Sequence, residues 1–333
     1  MKHFPAFIAK KEDNEIITAI QFIQKEDLPT GDVLIEVHYS GVNYKDALAA
    51  QLGSGVVRQY PLTLGIDLSG IVVESAVPEF NVGDPVLVTS YKLGVAHDGG
   101  YSQYARVPSE WVIPLPDGLS LKEAMIIGTA GFTAAQSICA LETAGLHPKQ
   151  GPVLVTGATG GLGSMAIALL SKLNYSIEAV SRKKEQSANY LQKLDADVIL
   201  SIEDIQLDQA KPLAKARWSA IIDPVGGPQL APLLAQLHYN GAIALSGNAG
   251  GIHFETTVLP FILRGVKLIG IDSVECPNEL RKKIWQRLAT DMKPNCLEDM
   301  VDQQINLADL PLAFSKILAG EMQGRTLVKI NER

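Results

Sequence analysis

The chain has 333 residues, of which 47% are hydrophobic, which is enough for two domains that each bury a core. Its formal net charge of −7 and the lack of a Lys/Arg block argue against nucleic-acid binding. The three cysteines lie far apart in sequence, so they predict neither a disulfide framework nor a set of metal ligands and instead indicate a reducing compartment.

The first third of the chain, from Ile16 to Val112, carries mostly strand signals. Apolar residues alternate with others over 33–39, which predicts a half-buried strand. Shorter strands are predicted at 71–73, 86–88 and 101–107, with turn residues between them. Several short strands joined by turns indicate a compact β-rich domain.

Inside this region, residues 41–48 read as the end of a strand that runs into a short helix. Prolines and a glycine at 114–118 then mark a boundary, and 119–123 has the composition of a capped helix start.

No segment predicts a membrane protein. The first fifteen residues contain no apolar core of signal-peptide length. The uncharged span 124–141 is interrupted by glycine, threonine, glutamine and serine, which favours an interior segment over lipid contact. We therefore expect a soluble cytoplasmic protein.

The most informative stretch is 152–184, which reads as strand, glycine turn, helix and strand. A tight turn into a helix leaves peptide N–H groups unpaired at the positive end of the helix dipole, where a pyrophosphate binds. Aligned to G-x-G-x-x-G, residues 158–163 replace the first glycine by Ala158 and keep the other two. The predicted pyrophosphate-binding residues are Gly160, Gly161, Leu162, Gly163 and, with its hydroxyl, Ser164.

The end of the next strand indicates which dinucleotide binds. A cofactor without a 2′-phosphate needs an Asp or Glu about twenty residues past the turn. This chain has Ser181, Arg182 and Lys183 there, a hydroxyl and two cations that suit a phosphate dianion. The other interpretation is a solvated basic turn. We favour NADPH.

From Ala124 onward, apolar strands alternate with helices, which predicts right-handed crossovers and a doubly wound parallel Rossmann sheet. The last fifty or so residues are too few for another domain and are expected to complete the first one. The predicted domains are therefore 1–123 completed by 276–333, and 124–275. The apolar strand 267–271 should lie at the sheet edge, which predicts a homodimer.

Strings along the whole chain resemble the zinc-independent acrylyl-coenzyme A reductase family, also known as YhdH/YhfP-type quinone oxidoreductases, of the medium-chain dehydrogenase/reductase superfamily. These strings are GVNYKDALA (41–49), GIDLSGIV (65–72), DGGYSQYARVP (98–108), IGTAGFTAA (127–135), VTGATGGLGS (155–164), PFILRGVKLIGIDSV (260–274) and QGRTLVK (323–329). The resemblance implies a GroES-like catalytic domain beside the Rossmann domain.

The resemblance also implies that no metal is bound. Zinc-dependent relatives carry a cysteine near the position of Tyr44 and Gly-His-Glu where this chain has Gly65-Ile66-Asp67. They often add a four-cysteine lobe, but no cysteine lies between Val88 and Tyr101.

The implied activity is NADPH-dependent reduction of a short α,β-unsaturated acyl-coenzyme A thioester such as acrylyl-coenzyme A. Two alternatives stay open. One is NADPH:quinone oxidoreduction, and the other is a non-catalytic NADPH-binding protein, against which the intact GVNYKD string argues.

The resemblance places Tyr44 against the nicotinamide, where its phenol can donate a hydrogen bond or a proton to the substrate. Asn43 has two possible roles. It orients the cofactor or the substrate carbonyl, or it caps the helix that begins there. Asp46 is expected to be a cap or ion-pair partner rather than a base. Arg264 and Arg325 either meet anionic parts of coenzyme A or form surface salt bridges.

Further cofactor contacts come from the Rossmann domain. Asn248 lies in the loop after the fifth strand and should face the nicotinamide. Ile262 and Ser273 match cofactor-contacting positions of the family, although Ile262 judged alone is expected to be a core residue. Ser164 has the alternative role of a helix-start residue, and Asp223 is expected to fix the loop after the fourth strand.

Overall fold

The structure is a computed structural model that describes residues 3–207 and 211–331. These residues form two compact units, which we call unit 1 and unit 2. Unit 1 contains the chain up to Thr129, Val274–Ala289 and the residues from Leu297 onward, whereas unit 2 contains Ala130–Ser273 and Thr290–Cys296.

The boundaries differ slightly from those expected from the sequence. The first boundary follows residue 129 instead of 123, because the first turns of a long helix belong to unit 1. Residues Thr290–Cys296, which we expected in the first domain, belong to unit 2.

Unit 1 begins with a β-rich segment, in agreement with the alternating pattern of its sequence. Its elements are β1 (Phe4–Glu12), β2 (Glu15–Ile23), β3 (Val33–Gly41), α1 (Tyr44–Ala49), β4 (Leu62–Thr63), β5 (Asp67–Ser75), β6 (Pro85–Thr89), β7 (Tyr104–Val107), β8 (Ile113–Pro114) and the start of α2 (Leu121–Thr143). The predicted strand 101–107 begins only at Tyr104, because residues 101–103 make single contacts with β1 instead of a ladder.

Helix α2 begins where the sequence predicted a capped start. The Ser120 hydroxyl accepts a hydrogen bond from Glu123 N–H at 3.1 Å, and the Glu123 carboxylate accepts one from Ser120 N–H at 2.8 Å. The helix is broken at Gly128, whose φ of 52° and ψ of −161° are not helical. Among the described residues, α2 alone is long and apolar enough to span a membrane, and 72% of its most apolar window is buried inside the fold.

Unit 2 is a parallel sheet with helices between its strands. Its elements are β9 (Val153–Val155), α3 (Gly161–Lys172), β10 (Ile177–Val180), α4 (Lys184–Lys193), β11 (Val198–Leu200), β12 (Trp218–Asp223), α5 (Leu230–Ala235), β13 (Leu237–Leu245), α6 (Leu259–Arg264) and β14 (Lys267–Gly270). The strand order is β11-β10-β9-β12-β13-β14, and every pairing is parallel. Strands β9 and β12 are buried along their whole length, as strands covered on both faces are.

The remaining elements return to unit 1. They are α7 (Asn278–Ala289), β15 (Val301–Ile305), α8 (Leu310–Leu318) and β16 (Arg325–Lys329). Strand β16 pairs antiparallel with β3, so the tail completes the larger sheet of unit 1, whose order is β15-β16-β3-β5-β6-β8 with β7 also on β3. A smaller sheet has the order β2-β1-β4.

One apolar cluster of unit 1 determines where α1 lies. Ala47 and Ala49 of α1 pack with Phe7, Tyr101 and Phe314, all of them buried. Asn43 and Tyr44, at the start of α1, are not part of this cluster.

Candidate functional site

The first residue of α1 is Tyr44, whose side chain is 44% exposed. No described residue hydrogen-bonds its phenol. Asn43 is the N-cap, and its N–H donates to Asp46 Oδ2 at 2.9 Å. Asp46 therefore closes the first turn of the helix as a capping residue, which confirms its expected role.

The side chain of Asn43 is buried in a polar network. It is only 8% exposed, and its Nδ2 donates to Asp67 Oδ2 at 2.8 Å. Its Oδ1 accepts a hydrogen bond from Arg325 Nη1 at 3.3 Å. Both polar ends of the amide are therefore held by unit 1 itself, which favours a structural role of Asn43 at the helix start.

Asp67 is the centre of this network. Its Oδ2 also accepts from Thr129 N–H at 2.9 Å, and its Oδ1 accepts from the Thr129 hydroxyl at 2.5 Å. Thr129 directly follows the helix break at Gly128, so the carboxylate caps the part of α2 that follows the break. From the sequence, Asp67 was noted only as a departure from the zinc-ligand pattern.

Arg325 lies inside unit 1 rather than on its surface. It is 2% exposed, and it donates to the carbonyl oxygens of Ile126 at 2.9 Å and Val42 at 3.3 Å, besides Asn43. Neither expected role of Arg325, a coenzyme A contact or a surface salt bridge, matches this placement. These partners lie between 199 and 283 residues from Arg325 along the chain, so nothing local in the sequence reveals them.

Burial dominates the electrostatics of the site. Burial, together with the nearby Asp67, raises the pKa of Asp46 to about 7, although hydrogen bonds from Asn43, Ile66 N–H at 2.9 Å and Tyr101 at 3.0 Å oppose the shift. Burial, with the adjacent Asp46 carboxyl, also raises the pKa of Tyr101 well above its ordinary value. At neutral pH, Tyr101 is therefore a hydrogen-bond donor to Asp46.

A strained corner adjoins Thr129. Ser90 and Tyr91 both have positive φ, 67° and 51°, which side chains adopt at a cost. Ser90 Oγ lies 2.9 Å from Thr129 Oγ1, and the Tyr91 ring is stacked against Trp111 with 5.6 Å between centroids. The guanidinium of Arg281 lies 4.3 Å from the Tyr91 ring centroid. These contacts hold a conformation that the sequence did not predict.

The glycine turn of unit 2 joins β9 to α3 as predicted. Gly160 is the N-cap of α3, and Gly157 has a φ of 56°. A methyl group at Gly163 would lie 2.3 Å from the Gly157 carbonyl oxygen, so only glycine allows the helix to approach the turn this closely. The Ser164 hydroxyl donates to Gly160 O at 2.8 Å, which is its helix-start role.

The basic turn lies at the end of β10, next to the glycine turn. Ala158 N–H donates to Val180 O at 3.2 Å and joins the two segments. Ser181 is buried, and its Oγ accepts from Lys183 N–H at 3.1 Å. Arg182 is exposed and has no ion pair or side-chain hydrogen bond within the described parts of the chain. A glycine-lined helix start beside an uncommitted guanidinium fits a dinucleotide with a 2′-phosphate.

The other residues proposed to contact the cofactor belong to the same unit. Asn248 is exposed in the loop after β13, at the carboxyl edge of the sheet, and Ser273 is half-buried near the end of unit 2. Ile262 on α6 is 68% exposed, so the expectation that it is an ordinary core residue is wrong. Its exposure leaves it available to a ligand or a partner.

Two further residues of unit 2 have structural roles. Asp223 accepts hydrogen bonds from Gly226 N–H at 2.9 Å and Gln229 Nε2 at 2.9 Å, which confirms that it fixes the loop after the fourth strand. Arg264 donates to the carbonyl oxygens of Ala235 at 2.9 Å and Leu237 at 3.0 Å, so the surface salt bridge considered for it is wrong.

Within residues 3–207 and 211–331, no group of three or more His, Cys, Asp or Glu side chains is arranged to hold a metal ion. The three cysteines, Cys139, Cys276 and Cys296, are not joined by disulfides.

Two family models and several curated proteins match this chain over most of its length. Residues 29–117 match the model of the alcohol dehydrogenase GroES-like domain, and residues 161–290 match that of the zinc-binding dehydrogenase domain. The chain is 50% identical over 327 residues to YhfP of Bacillus subtilis, which is named a quinone oxidoreductase, with 98% of this chain and 99% of YhfP covered. It is 44% identical over 330 residues to the acrylyl-CoA reductase AcuI of Ruegeria pomeroyi, with 98% and 99% covered.

Solved structures give the same result. The structure of Bacillus subtilis YhfP with NAD bound superposes with a TM-score of 0.97 at 49% identity, covering 99% of this chain and 100% of that one. Escherichia coli YhdH with bound NADPH superposes with a TM-score of 0.94 at 43% identity, covering 98% and 100%.

Fold and matches together define a medium-chain dehydrogenase/reductase with a GroES-like and a Rossmann-type domain. Within that superfamily, the chain belongs to the zinc-independent family of acrylyl-CoA reductases and YhdH/YhfP-type quinone oxidoreductases.

Proposed function

We propose that this protein is an NADPH-dependent reductase of the C=C bond of short α,β-unsaturated acyl-coenzyme A thioesters, such as acrylyl-coenzyme A. The observation that carries the proposal is the accessible phenol of Tyr44 at the start of α1, on a helix that a buried polar network holds in place. Full-length similarity to AcuI supports the substrate class, and similarity to YhdH with NADPH supports the cofactor.

When bound, NADPH supplies the hydride that reaches the β-carbon of the enoyl group. The Tyr44 phenol donates a hydrogen bond to the thioester carbonyl oxygen, where negative charge develops. Unit 1 thus stabilises the enolate-like charge, and addition of a proton from solvent to the α-carbon completes the reduction. Asn43 keeps the backbone of Tyr44 in place.

Unit 2 contributes the residues that hold the cofactor. The N–H groups at the start of α3, from Gly160 to Ser164, bind the pyrophosphate. Arg182, with Lys183 and the turn made by Ser181, binds the 2′-phosphate. Asn248 faces the nicotinamide end, and Ile262 and Ser273 make further contacts with the cofactor.

The test is NADPH consumption measured with acrylyl-coenzyme A, crotonyl-coenzyme A and a benzoquinone side by side. We expect the highest kcat/KM with acrylyl-coenzyme A and a clear preference for NADPH over NADH. If none of the three substrates oxidises NADPH although the protein binds it, the protein is a non-catalytic NADPH-binding protein.

A second candidate function is NADPH:quinone oxidoreduction, which the 50% identity to YhfP favours. In that case the benzoquinone gives the highest kcat/KM and the thioesters react slowly.

We also propose that the protein is a cytoplasmic homodimer. The position of β14 at the sheet edge and the absence of disulfides among the three cysteines support this, since an unpaired edge favours pairing across a two-fold axis and reduced cysteines suit a reducing compartment.

A further inference from the structure

One buried carboxylate joins two segments that are far apart in sequence. Asp67, at the start of β5, is fully buried and accepts three hydrogen bonds: from Asn43 Nδ2 at 2.8 Å, from Thr129 N–H at 2.9 Å and from the Thr129 hydroxyl at 2.5 Å. Hydrogen bonds to a charged acceptor are about twice as strong as neutral ones. Asp67 therefore couples the start of α1 to the point where α2 resumes after its break.

The break itself makes room for this carboxylate. A methyl group at Gly128 would lie 2.7 Å from Asp67 Oδ2 and 2.8 Å from Arg325 Nη2. A side chain at Gly128 would thus displace both charged groups. Because Gly128 has no side chain, Asp67 and Arg325 can both reach the side-chain amide of Asn43, each from its own side.

The orientation of the Asn43 amide follows from these two partners. Its donor end faces the Asp67 carboxylate, and its acceptor end faces the Arg325 guanidinium, so a flipped amide would oppose like groups at both ends. The next residue is Tyr44, and α1 has only six residues. A helix this short is not stable by itself, so the direction in which Tyr44 projects depends on how its first residue is held.

We propose that Asp67 is a positioning residue for the reaction, which through Asn43 fixes the backbone at Tyr44 and so the place where the phenol meets the substrate. This inference rests on the proposed reductase function. Asp67 itself contacts neither substrate nor cofactor in this role. A misplacement of about 1 Å at a reacting group costs on the order of a hundredfold in rate.

The first test is a double-mutant cycle of Asp67→Asn with Tyr44→Phe. Asp67→Asn removes the negative charge to which Asn43 Nδ2 and Thr129 N–H donate, so the start of α1 should be held less firmly. We expect kcat with acrylyl-coenzyme A to fall roughly tenfold to a hundredfold, while the Kd for NADPH stays within about threefold. In the Tyr44→Phe background, Asp67→Asn should change kcat by less than about threefold, because there is no phenol left to position.

The matched control is Asp84→Asn, which makes the same change at an exposed turn where Asp84 accepts from Asn81 N–H at 2.7 Å. It should leave kcat unchanged. Equal losses from Asp67→Asn in both Tyr44 backgrounds would show a merely structural role and overturn the proposal.

A second variant and a second readout make the test independent of that one substitution. Asn43→Ala removes the link between Asp67 and α1 but leaves the Thr129 contacts, and it should show the same dependence on Tyr44. Amide hydrogen exchange should become about tenfold faster across 44–49 in Asp67→Asn but not in Asp84→Asn. Unchanged exchange in this helix would contradict the positioning role even if the enzyme reduces none of the substrates tested.

Discussion

Tyr44 projects from the first turn of α1 with its phenol free of described protein partners, as a group that acts on a ligand does. We predict that Tyr44→Phe lowers kcat with acrylyl-coenzyme A by about tenfold or more, because the carbonyl oxygen loses its hydrogen-bond donor. The dissociation constant for NADPH should stay within a few-fold. Steady-state kinetics and fluorescence titration measure the two quantities. Unchanged turnover would reduce Tyr44 to a packing residue.

Arg182 offers an exposed guanidinium at the end of β10. We predict that Arg182→Ala raises the Kd for NADPH about tenfold to a hundredfold, since a hydrogen bond to a charged group contributes roughly 1.5–3 kcal/mol. The affinity for NADH should hardly change. Titration of both cofactors measures the preference.

The control for this experiment is Lys193→Ala, which removes an exposed cation at the other end of α4 and should not alter the preference. Ser181→Asp should go further than Arg182→Ala, because a carboxylate repels the phosphate and binds the NADH ribose. Equal weakening of NADPH and NADH by Arg182→Ala would show that this residue does not read the phosphate.

Asp46 gives the stability of the protein a pH dependence. Its pKa rises from 3.8 to about 7 on folding, so the native state binds this proton more tightly than the unfolded state does. The stabilisation is complete below pH 4 and is lost as the pH rises through 7. We predict that the unfolding free energy of the wild type, relative to Asp46→Asn, falls by roughly 2 to 3 kcal/mol between pH 5 and pH 8. Urea unfolding at several pH values measures this, and a constant difference would contradict it.

How far single residues could be predicted depended on whether their role is local. The basic turn at Arg182 and the cap at Asp46 lie next to the elements they serve, so sequence position was enough. Asp67 and Arg325 contact Asn43 across 24 and 282 residues of chain, and no periodicity or motif records contacts of that range.

At the scale of elements, we expect Gly163 and Gly160 of the same turn to have different roles, the first in stability and the second in cofactor binding. A methyl group at Gly163 would overlap the Gly157 carbonyl, whereas one at Gly160 would lie 3.4 Å from it. We predict that Gly163→Ala lowers the unfolding free energy by about 1–3 kcal/mol, since the helix must move. Gly160→Ala should leave stability within about 1 kcal/mol but weaken NADPH binding, because the methyl group would crowd the proposed pyrophosphate site. Thermal unfolding and cofactor titration separate the two, and equal destabilisation would refute the distinction.

The elements of unit 2 followed the sequence more closely than those of unit 1. Uniformly apolar runs such as β9 and β12 are recognisable because both faces of a parallel sheet are covered. β13 is harder to recognise from its start at Leu237, because its first half is polar and partly exposed, with His238, Tyr239 and Asn240. The break of α2 at Gly128 was missed, because the Asp67 carboxylate that caps the helix after it comes from a distant part of the chain.

At the scale of the whole molecule, the edge strand β14 and the exposed apolar residues before it predict self-association. Leu263 on α6 is 55% exposed and lies four residues before β14. We expect sedimentation at micromolar concentration to show a dimer, and Leu263→Glu to shift it towards monomer. The control is Val198→Glu, at a residue that is 43% exposed on β11, the other edge of the same sheet. A wild type that is monomeric throughout would contradict the prediction.

Unit 1 combines segments that precede unit 2 in the sequence with segments that follow it. During synthesis, unit 1 can therefore be completed only after most of unit 2 has been translated. Unit 2 is translated before β16, so the end of β3 waits for its partner until the residues of β16 have been added. Arg325 arrives with that strand and supplies the final contact to Asn43. A polypeptide released early would keep the glycine turn and the basic turn but lack a finished GroES-like half. It would keep the residues proposed to bind the nucleotide but would lack β16 and Arg325, so we expect enzymatic activity to require translation through β16.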